Sequence, residues 1–372
     1  MKRSRIHSAG PRISDLEIKY VEDAIRNGWY DQNRGYIEAF EEAFAKYLGV
    51  SHALATTNGT GALHLSLAAA GIGPGDEVIV PDISWIATAN VVRYCGAEPV
   101  FADVCLEDWN LDPDRVVDAI TPRTRALFPV HLYGHPAQMD RLVEITERHG
   151  LILIEDAAPS VGSRYRGSSP GTFGRAAGFS FQGAKVLATG QGGMFVTDDE
   201  SVYQRAVKLQ EHGRDPHGGI FFSAEVGYNY KMPNLVAAMG LAQLERVDEL
   251  VAHKRRVHEW YAAKLKDVEG IQFQEEGPGC TSNWSHPSIR LDPEFCKRGR
   301  LAAGLKKRNI DTRPAFPRMS TMPAFRNADT PRAREIEETG INLPTAGYLE
   351  EEDVGDICES ILEIAADEDG AA

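Results

Sequence analysis

The sequence predicts an α/β fold: a large domain with a mostly parallel seven-stranded sheet between helices, followed by a smaller α+β domain. Three observations predict it. Short β-rich runs alternate with helical segments over the first two-thirds of the chain. Near Pro233 that alternation gives way to long helical periodicity. At 372 residues the chain also exceeds the ~250–300 at which a single core stops growing.

The elements follow in order. Ser14 and Glu17 form a capping box, and Ile18, Val21 and Ile25 then recur on one face of a helix. A second amphipathic helix carries Ile37, Phe40, Phe44 and Leu48. Seven strand runs come next: HALATT (52–57), EVIV (77–80), PVFAD (99–103), ALFPVH (126–131), LILIED (151–156), GFSF (178–181) and MFVT (194–197). Segments such as 85–95 and 137–149 are predicted as crossover helices, which makes most of the sheet parallel and buries both its faces. From Asn234 to Leu265 the pattern reads as one long helix or two joined ones, with Pro233 in a first-turn position. Strands at 271–273 and 287–291 and helices near 294–308 and 351–366 complete the chain. We divide it into a large domain, 1–240, and a small one, 241–372.

Composition narrows the function classes. A formal net charge of −14 repels phosphate backbones and anionic lipid, so neither nucleic acid nor a membrane surface is expected as a partner. No apolar run reaches the ~18–20 residues of a membrane span, and the basic start MKRSRIHSAGPRIS lacks an apolar h-region. Five scattered cysteines form no C-x-x-C pair, which predicts neither disulfides nor a zinc site and fits a cytoplasmic protein. The i, i+4 pair His131 and His135 falls at a strand end broken by Gly134 and Pro136, so structural roles are expected and no metal site.

Ligands of open α/β sheets bind where strands end, and four such places carry chemistry. LILIED ends in Glu155 and Asp156, a carboxylate at the mouth of the sheet that needs a cationic partner. TTNGTGAL turns from strand to helix at Gly59, Thr60 and Gly61, where free backbone amides make an anion site. GFSF offers the Ser180 hydroxyl, and FSFQGAKVLATGQGG sets Lys185 between an apolar run and a glycine cluster. PDISWIATAN supplies Trp85, a flat ring on which a planar ligand can stack. Each has an ordinary explanation taken singly: a strand-end cap, a structural turn, a solvated lysine, a core tryptophan. Together they provide an amine, a carboxylate, a phosphate cup and a stacking ring, the parts that a pyridoxal phosphate enzyme needs.

The stretch EDAAPSVGSRYRGSSPGTFGRAAGFSFQGAKVLATGQGGMFVTDD (155–199) closely resembles the signature of the DegT/DnrJ/StrS sugar aminotransferases, which are fold-type I pyridoxal phosphate (PLP) enzymes. The resemblance extends through GDEVIVPDISWIATANVV, PVHLYGHPAQMD, GYNYKMPNLVAAMGLAQLERVDEL and INLPT, and so over nearly the whole chain. It implies pyridoxal 5'-phosphate as cofactor, Lys185 as its Schiff-base lysine and Asp156 as partner of the pyridine nitrogen. It also implies Trp85 as the stacking ring, and Gly59, Thr60 and Ser180 as the phosphate cup. Asn229 matches an asparagine that reaches the phosphate from a neighbouring subunit, which implies a homodimer with shared active sites.

Two positions depart from the pattern: Gln191 stands where most members have Glu, and Pro159 where many have Gln. The presence of Lys185 argues against a dehydrating branch that carries His there. Within the family the chain looks most like the perosamine-synthase-like enzymes, which implies transfer of an amino group from L-glutamate to a nucleotide-linked 4-keto-6-deoxyhexose. A 3-keto sugar nucleotide, a keto-cyclitol, or a regulatory protein that holds the cofactor without turnover are the alternatives. A nicotinamide oxidoreductase is disfavoured because the glycine cluster GIGPGD precedes its strand. Substrate contacts are expected from Trp29, Tyr30 and the loop DQNRGY, and from Arg313, which could meet a sugar nucleotide phosphate. Ordinary loop and interface packing is the competing explanation for these residues.

Overall fold

The structure is a computed structural model that describes residues 5–367 apart from 216, 217 and 220. Its central strands are β1 (His52–Thr56), β2 (Glu77–Pro81), β3 (Glu98–Ala102), β4 (Thr124–Leu127) and β5 (Ile152–Asp156). After the short β6 (Arg164–Tyr165) come β7 (Ala176–Ser180) and β8 (Gly193–Thr197). Seven of these form one sheet in the order β1-β8-β7-β5-β4-β2-β3. Only β8 runs against its neighbours, so the other six all end at the same edge, where the loops carrying Asn58, Trp85, Asp156 and Lys185 gather.

The strands match the expected runs closely, with one difference. β4 stops at Leu127, because Pro129 has no amide for the ladder. Only Val130 beyond it still bridges to Asp156.

Helices pack on both faces. The helix Gly59–Ala69 is buried almost all round and lies so close to β7 that a Cβ on Gly178 would stand 2.8 Å from the Leu63 amide nitrogen. The helix Gly35–Leu48 buries Ile37, Phe40, Phe44 and Leu48, as expected. Its Phe40 and Phe44 meet Phe179 and Phe181 with ring centroids 5.2–5.5 Å apart. Burying each such ring stabilises the fold by about 2–3 kcal/mol.

The first helix, Asp15–Asn27, departs from expectation. Its capping box forms, yet it turns Glu17 and Ala24 inward and leaves Ile18 and Ile25 exposed. Glu17 is held there by Arg246 at 2.7 Å and Gln243 at 2.6 Å, a charge pairing that overrides the apolar stripe.

The long helical stretch is two helices, Asn234–Glu245 and Val247–Leu265, joined at Arg246, with Pro233 as N-cap one position before the expected first turn. The expected boundary at 240 falls inside the first of them. Val247 packs in the large core, whereas Val257, Tyr261 and Leu265 belong to a second core with Ile289, Leu301 and Ile357. The strands of that second unit are β9 (Ile271–Phe273), β10 (Cys280–Thr281, paired to β6), β11 (Ser288–Leu291), β12 (Arg313–Pro314) and β13 (Gly340–Asn342). Four of them form an antiparallel sheet, β12-β13-β11-β9. Ile6 also packs in the second core, lying parallel beside Ile310, and Ser8 and Gly10 accept the amides of Thr345 and Gly347.

Candidate active site

A cavity of about 390 Å³ opens at the carboxyl edge of the sheet, between the two cores. β5 delivers Asp156 to its floor. One carboxylate oxygen accepts from the Thr88 hydroxyl at 2.8 Å and the other from the Ala158 amide at 3.1 Å. Burial pushes the Asp156 pKa up, and these two hydrogen bonds together with the Lys185 charge only partly offset it.

Lys185 reaches the same space from the loop after β7. Its amide donates to the Gln182 carbonyl at 2.8 Å, while the Gln182 side chain accepts from Ala184 at 2.8 Å, which folds the loop back on itself. Desolvation pulls the Lys185 amine down to about 8; Asp156 opposes this shift and the Arg313 charge adds to it. A large share of the amine is therefore uncharged at mildly alkaline pH, as a nucleophile or proton carrier must be.

Beside them the chain leaves β1 and enters a helix. Asn58 caps that helix by accepting from the Gly61 amide at 2.8 Å. The amides of Gly59 and Thr60, in the first turn, have no preceding carbonyl four residues back. Ser180, at the end of β7, stands against them, and a Cβ on Gly59 would lie 2.6 Å from the Ser180 Cβ and 2.8 Å from its Oγ. The result is a cradle of amides and a hydroxyl, with the positive end of a helix behind it.

Trp85 is exposed at the rim, with its ring 6.0 Å from that of Phe316. The far wall is lined by residues from the chain beyond the two joined helices, His286, Arg313 and Phe316, with Tyr133 between. Tyr133 holds a left-handed φ of 55°. Its ring stacks on Phe316 at 5.2 Å and its hydroxyl accepts from the Phe316 amide at 3.0 Å. His286 is buried, with Nδ1 3.3 Å from the Ser285 hydroxyl. Desolvation, and then the Lys185, Lys254 and Arg313 charges, hold its pKa well below the usual histidine value, so it is a neutral imidazole.

The cavity thus gathers Gly59, Thr60, Trp85, Asp156, Ser180, Lys185 and Arg313, together with the two departures Pro159 and Gln191. Trp29, Tyr30 and Asn229 do not line it; all three are exposed elsewhere on the chain. Sequence reasoning missed Asn58, Gln182, Tyr133, His286 and Phe316 as lining residues and Thr88 as the support of Asp156. Asn58 could have been found as the N-cap in TTNG, whereas nothing local distinguishes His286.

His131 makes two hydrogen bonds within the fold. Its Nδ1 accepts from the Ala137 amide at 3.1 Å, so its Nε2 donates to Glu155 at 3.0 Å. Glu155 also takes the amides of Gly171, Phe173 and Gly174. Among the described residues no cluster of three or more His, Cys, Asp or Glu is arranged to hold a metal ion.

The donor set fits PLP: an amine of lowered basicity, a buried carboxyl facing the cavity, and a cradle that a single added Cβ would fill. Comparison with known proteins agrees. The pattern of the DegT/DnrJ/EryC1/StrS aminotransferase family matches residues 11–362. A GDP-perosamine synthase of Caulobacter vibrioides is 42% identical over 367 residues, 97% of this chain and 98% of the relative. Another, from Escherichia coli O157:H7, is 38% identical over 359 residues, 96% and 98% of the two chains. Among solved structures, the aminotransferase TlmJ of Streptoalloteichus hindustanus superposes with a TM-score of 0.92 at 30% identity, covering 98% of this chain and 99% of that one. DesV of S. venezuelae, solved with a ketimine intermediate, gives 0.90 at 32% identity, with coverage of 98% and 99%. The chain therefore belongs to the DegT/DnrJ/EryC1/StrS aminotransferase family and is a pyridoxal phosphate-dependent aminotransferase.

Proposed function

We propose that this enzyme moves an amino group from L-glutamate to carbon 4 of a nucleotide-linked 4-keto-6-deoxyhexose, making a 4-amino sugar nucleotide. It works in the cytoplasm as a homodimer with shared active sites. The observation that carries the chemistry is the meeting of Lys185, Asp156 and the Gly59–Thr60–Ser180 cradle in one cavity. The kinship with GDP-perosamine synthases over almost the full chain favours carbon 4 and a GDP-linked acceptor.

The bound cofactor supplies an electron sink for the charge left when a proton leaves the donor's Cα. Asp156 keeps a proton on the ring nitrogen. With the cofactor bound, Lys185 would take the proton from the donor's Cα as general base and deliver it as general acid to the cofactor side of the shared nitrogen, and would carry a proton the opposite way, on to carbon 4 of the sugar, in the second half-reaction. The Gly59 and Thr60 amides and the Ser180 hydroxyl would hold the cofactor's phosphate, and Trp85 would offer its ring a stacking face. Tyr133, His286 and Phe316 close the far side against water.

The dimer reading draws on Asn229. It is exposed and outside its own chain's cavity, on a segment whose Phe221 and Val226 are 89% and 88% exposed. Such apolar side chains want a cover, and a second copy supplies one.

The first experiment is the visible absorption spectrum with and without L-glutamate. The parent protein is expected to show a band that bleaches with glutamate, and Lys185→Ala to lack the band of the resting enzyme. A GDP-linked 4-keto-6-deoxyhexose then restores the parent's band where a 3-keto acceptor does not. Absence of any band after reconstitution with pyridoxal phosphate would refute the aminotransferase reaction for this chain.

A further inference from the structure

We propose that Arg313 recognises the amino donor: its guanidinium takes the α-carboxylate of L-glutamate, and the diphosphate of the sugar nucleotide is bound elsewhere. The inference rests on the glutamate-to-sugar reaction above and assigns a role within it.

Both substrates of that reaction visit one cavity in turn, and they differ in where their charge lies. Glutamate carries a carboxylate on the carbon that reacts. A hexose has carbons bearing neutral groups on either side of carbon 4, and its phosphate is attached across the ring. Among the described residues lining the cavity, the cations are Lys185 and Arg313, since His286 is neutral. Lys185 is occupied with the reacting atoms, which leaves Arg313 for an anion.

Arg313 lines the same cavity as Lys185 and His286, which places it near the reaction. The cavity, at about 390 Å³, is also at the small end of pockets that enclose a drug-sized ligand. With the cofactor in the cradle, it takes the reacting part of a substrate and leaves the nucleotide outside.

The mounting of Arg313 points the same way. β12 is registered by pairing Arg313 with Asn342, and the Asn342 side chain accepts from the Ser288 hydroxyl at 2.7 Å. The Arg313 Nε donates to the Ser8 hydroxyl at 3.1 Å, which spends the inner nitrogen and leaves Nη1 and Nη2 as the fork for a planar carboxylate. The side chain is exposed at the cavity mouth, so an incoming amino acid reaches it.

The test is calorimetric titration of the cofactor-loaded enzyme with glutarate and, separately, with GDP, in the parent, Arg313→Gln and Arg313→Lys. Glutarate has the carboxylates but no amine to react. Arg313→Gln is expected to weaken glutarate by ~10–100-fold while GDP changes by less than about twofold. Arg313→Lys, which keeps the charge and loses the fork, is expected to fall between. Far-ultraviolet circular dichroism and the visible band report whether each variant is folded and loaded. Weakened GDP with unchanged glutarate overturns the assignment and makes Arg313 a nucleotide-phosphate residue. Equal weakening of both probes, or of neither, overturns it as well. Failure of the underlying reaction looks different: the parent itself then neither bleaches with glutamate nor binds glutarate.

Discussion

A buried carboxyl with one hydroxyl and one amide for company is held above its ordinary pKa, and at Asp156 that condition is chemically useful. A protonated ring nitrogen placed opposite would reverse the shift, because an adjacent cation favours the carboxylate. Asp156→Asn keeps the shape and loses the charge. We expect it to fold and retain cofactor while glutamate-driven bleaching, followed by stopped flow, slows by ~10²–10⁴-fold. Gly59→Ala acts on the phosphate end, since its new Cβ would fall 2.6 Å from that of Ser180. The expected outcome is weaker cofactor retention, by roughly tenfold or more, measured by dialysis against buffer of known cofactor concentration. These residues were legible in the sequence because each ends a strand or begins a helix within a few positions of its own signal. Tyr133, His286 and Phe316 were not legible, because they become neighbours only once the second core packs against the first.

At the scale of elements, the helix Val247–Leu265 contains a lysine that the reaction does not use. Lys254 is buried, and its amine donates to the Thr345 carbonyl and, at 3.1 Å, to the Thr345 hydroxyl. About two turns further on, the Tyr261 hydroxyl donates to the Pro344 carbonyl at 3.0 Å. These bonds tie the helix to the loop that follows β13, the strand that registers Arg313. Desolvation draws the Lys254 amine down to about 7, whereas in the unfolded chain it titrates near 10.4. Between those values the unfolded state binds more protons, so this group makes stability rise as pH rises from about 7 towards 10. We expect the urea midpoint of the holoenzyme to climb across that window, and Lys254→Met to flatten the climb. A Lys254→Met profile parallel to the parent's would show that the lysine does not titrate differently on folding. Periodicity left one helix or two joined ones open here; the break falls at Arg246, whose guanidinium donates to the distant Glu17 at 2.7 Å. The same pairing turns Glu17 inward and leaves Ile18 and Ile25, on the apolar face of Asp15–Asn27, exposed.

For the whole molecule, the exposed Ile18, Ile25, Trp29, Tyr30, Phe221 and Val226 are apolar area that a monomer has reason to cover. If Asn229 completes a neighbour's site, then Lys185→Ala and Asn229→Ala subunits, each impaired alone, rebuild one sound site per mixed dimer. Co-refolding the two should restore about a quarter of parental activity, by random pairing. No recovery in a verified mixed dimer would leave each subunit dependent on its own residues. Ile6 lies against Ile310, and Ser8 and Gly10 bond Thr345 and Gly347, so the second core is closed by residues from both ends of the sequence. During synthesis the seven-stranded sheet can assemble once β8 has emerged, but the segment 6–10 must wait, unpaired, until its partners arrive more than a hundred residues later. That makes closure of the second core a late, long-range step with a large loop to close. A bulky fusion placed ahead of Arg5 would therefore burden the core that carries Arg313 and His286, and leave the lysine-bearing sheet free to fold on time.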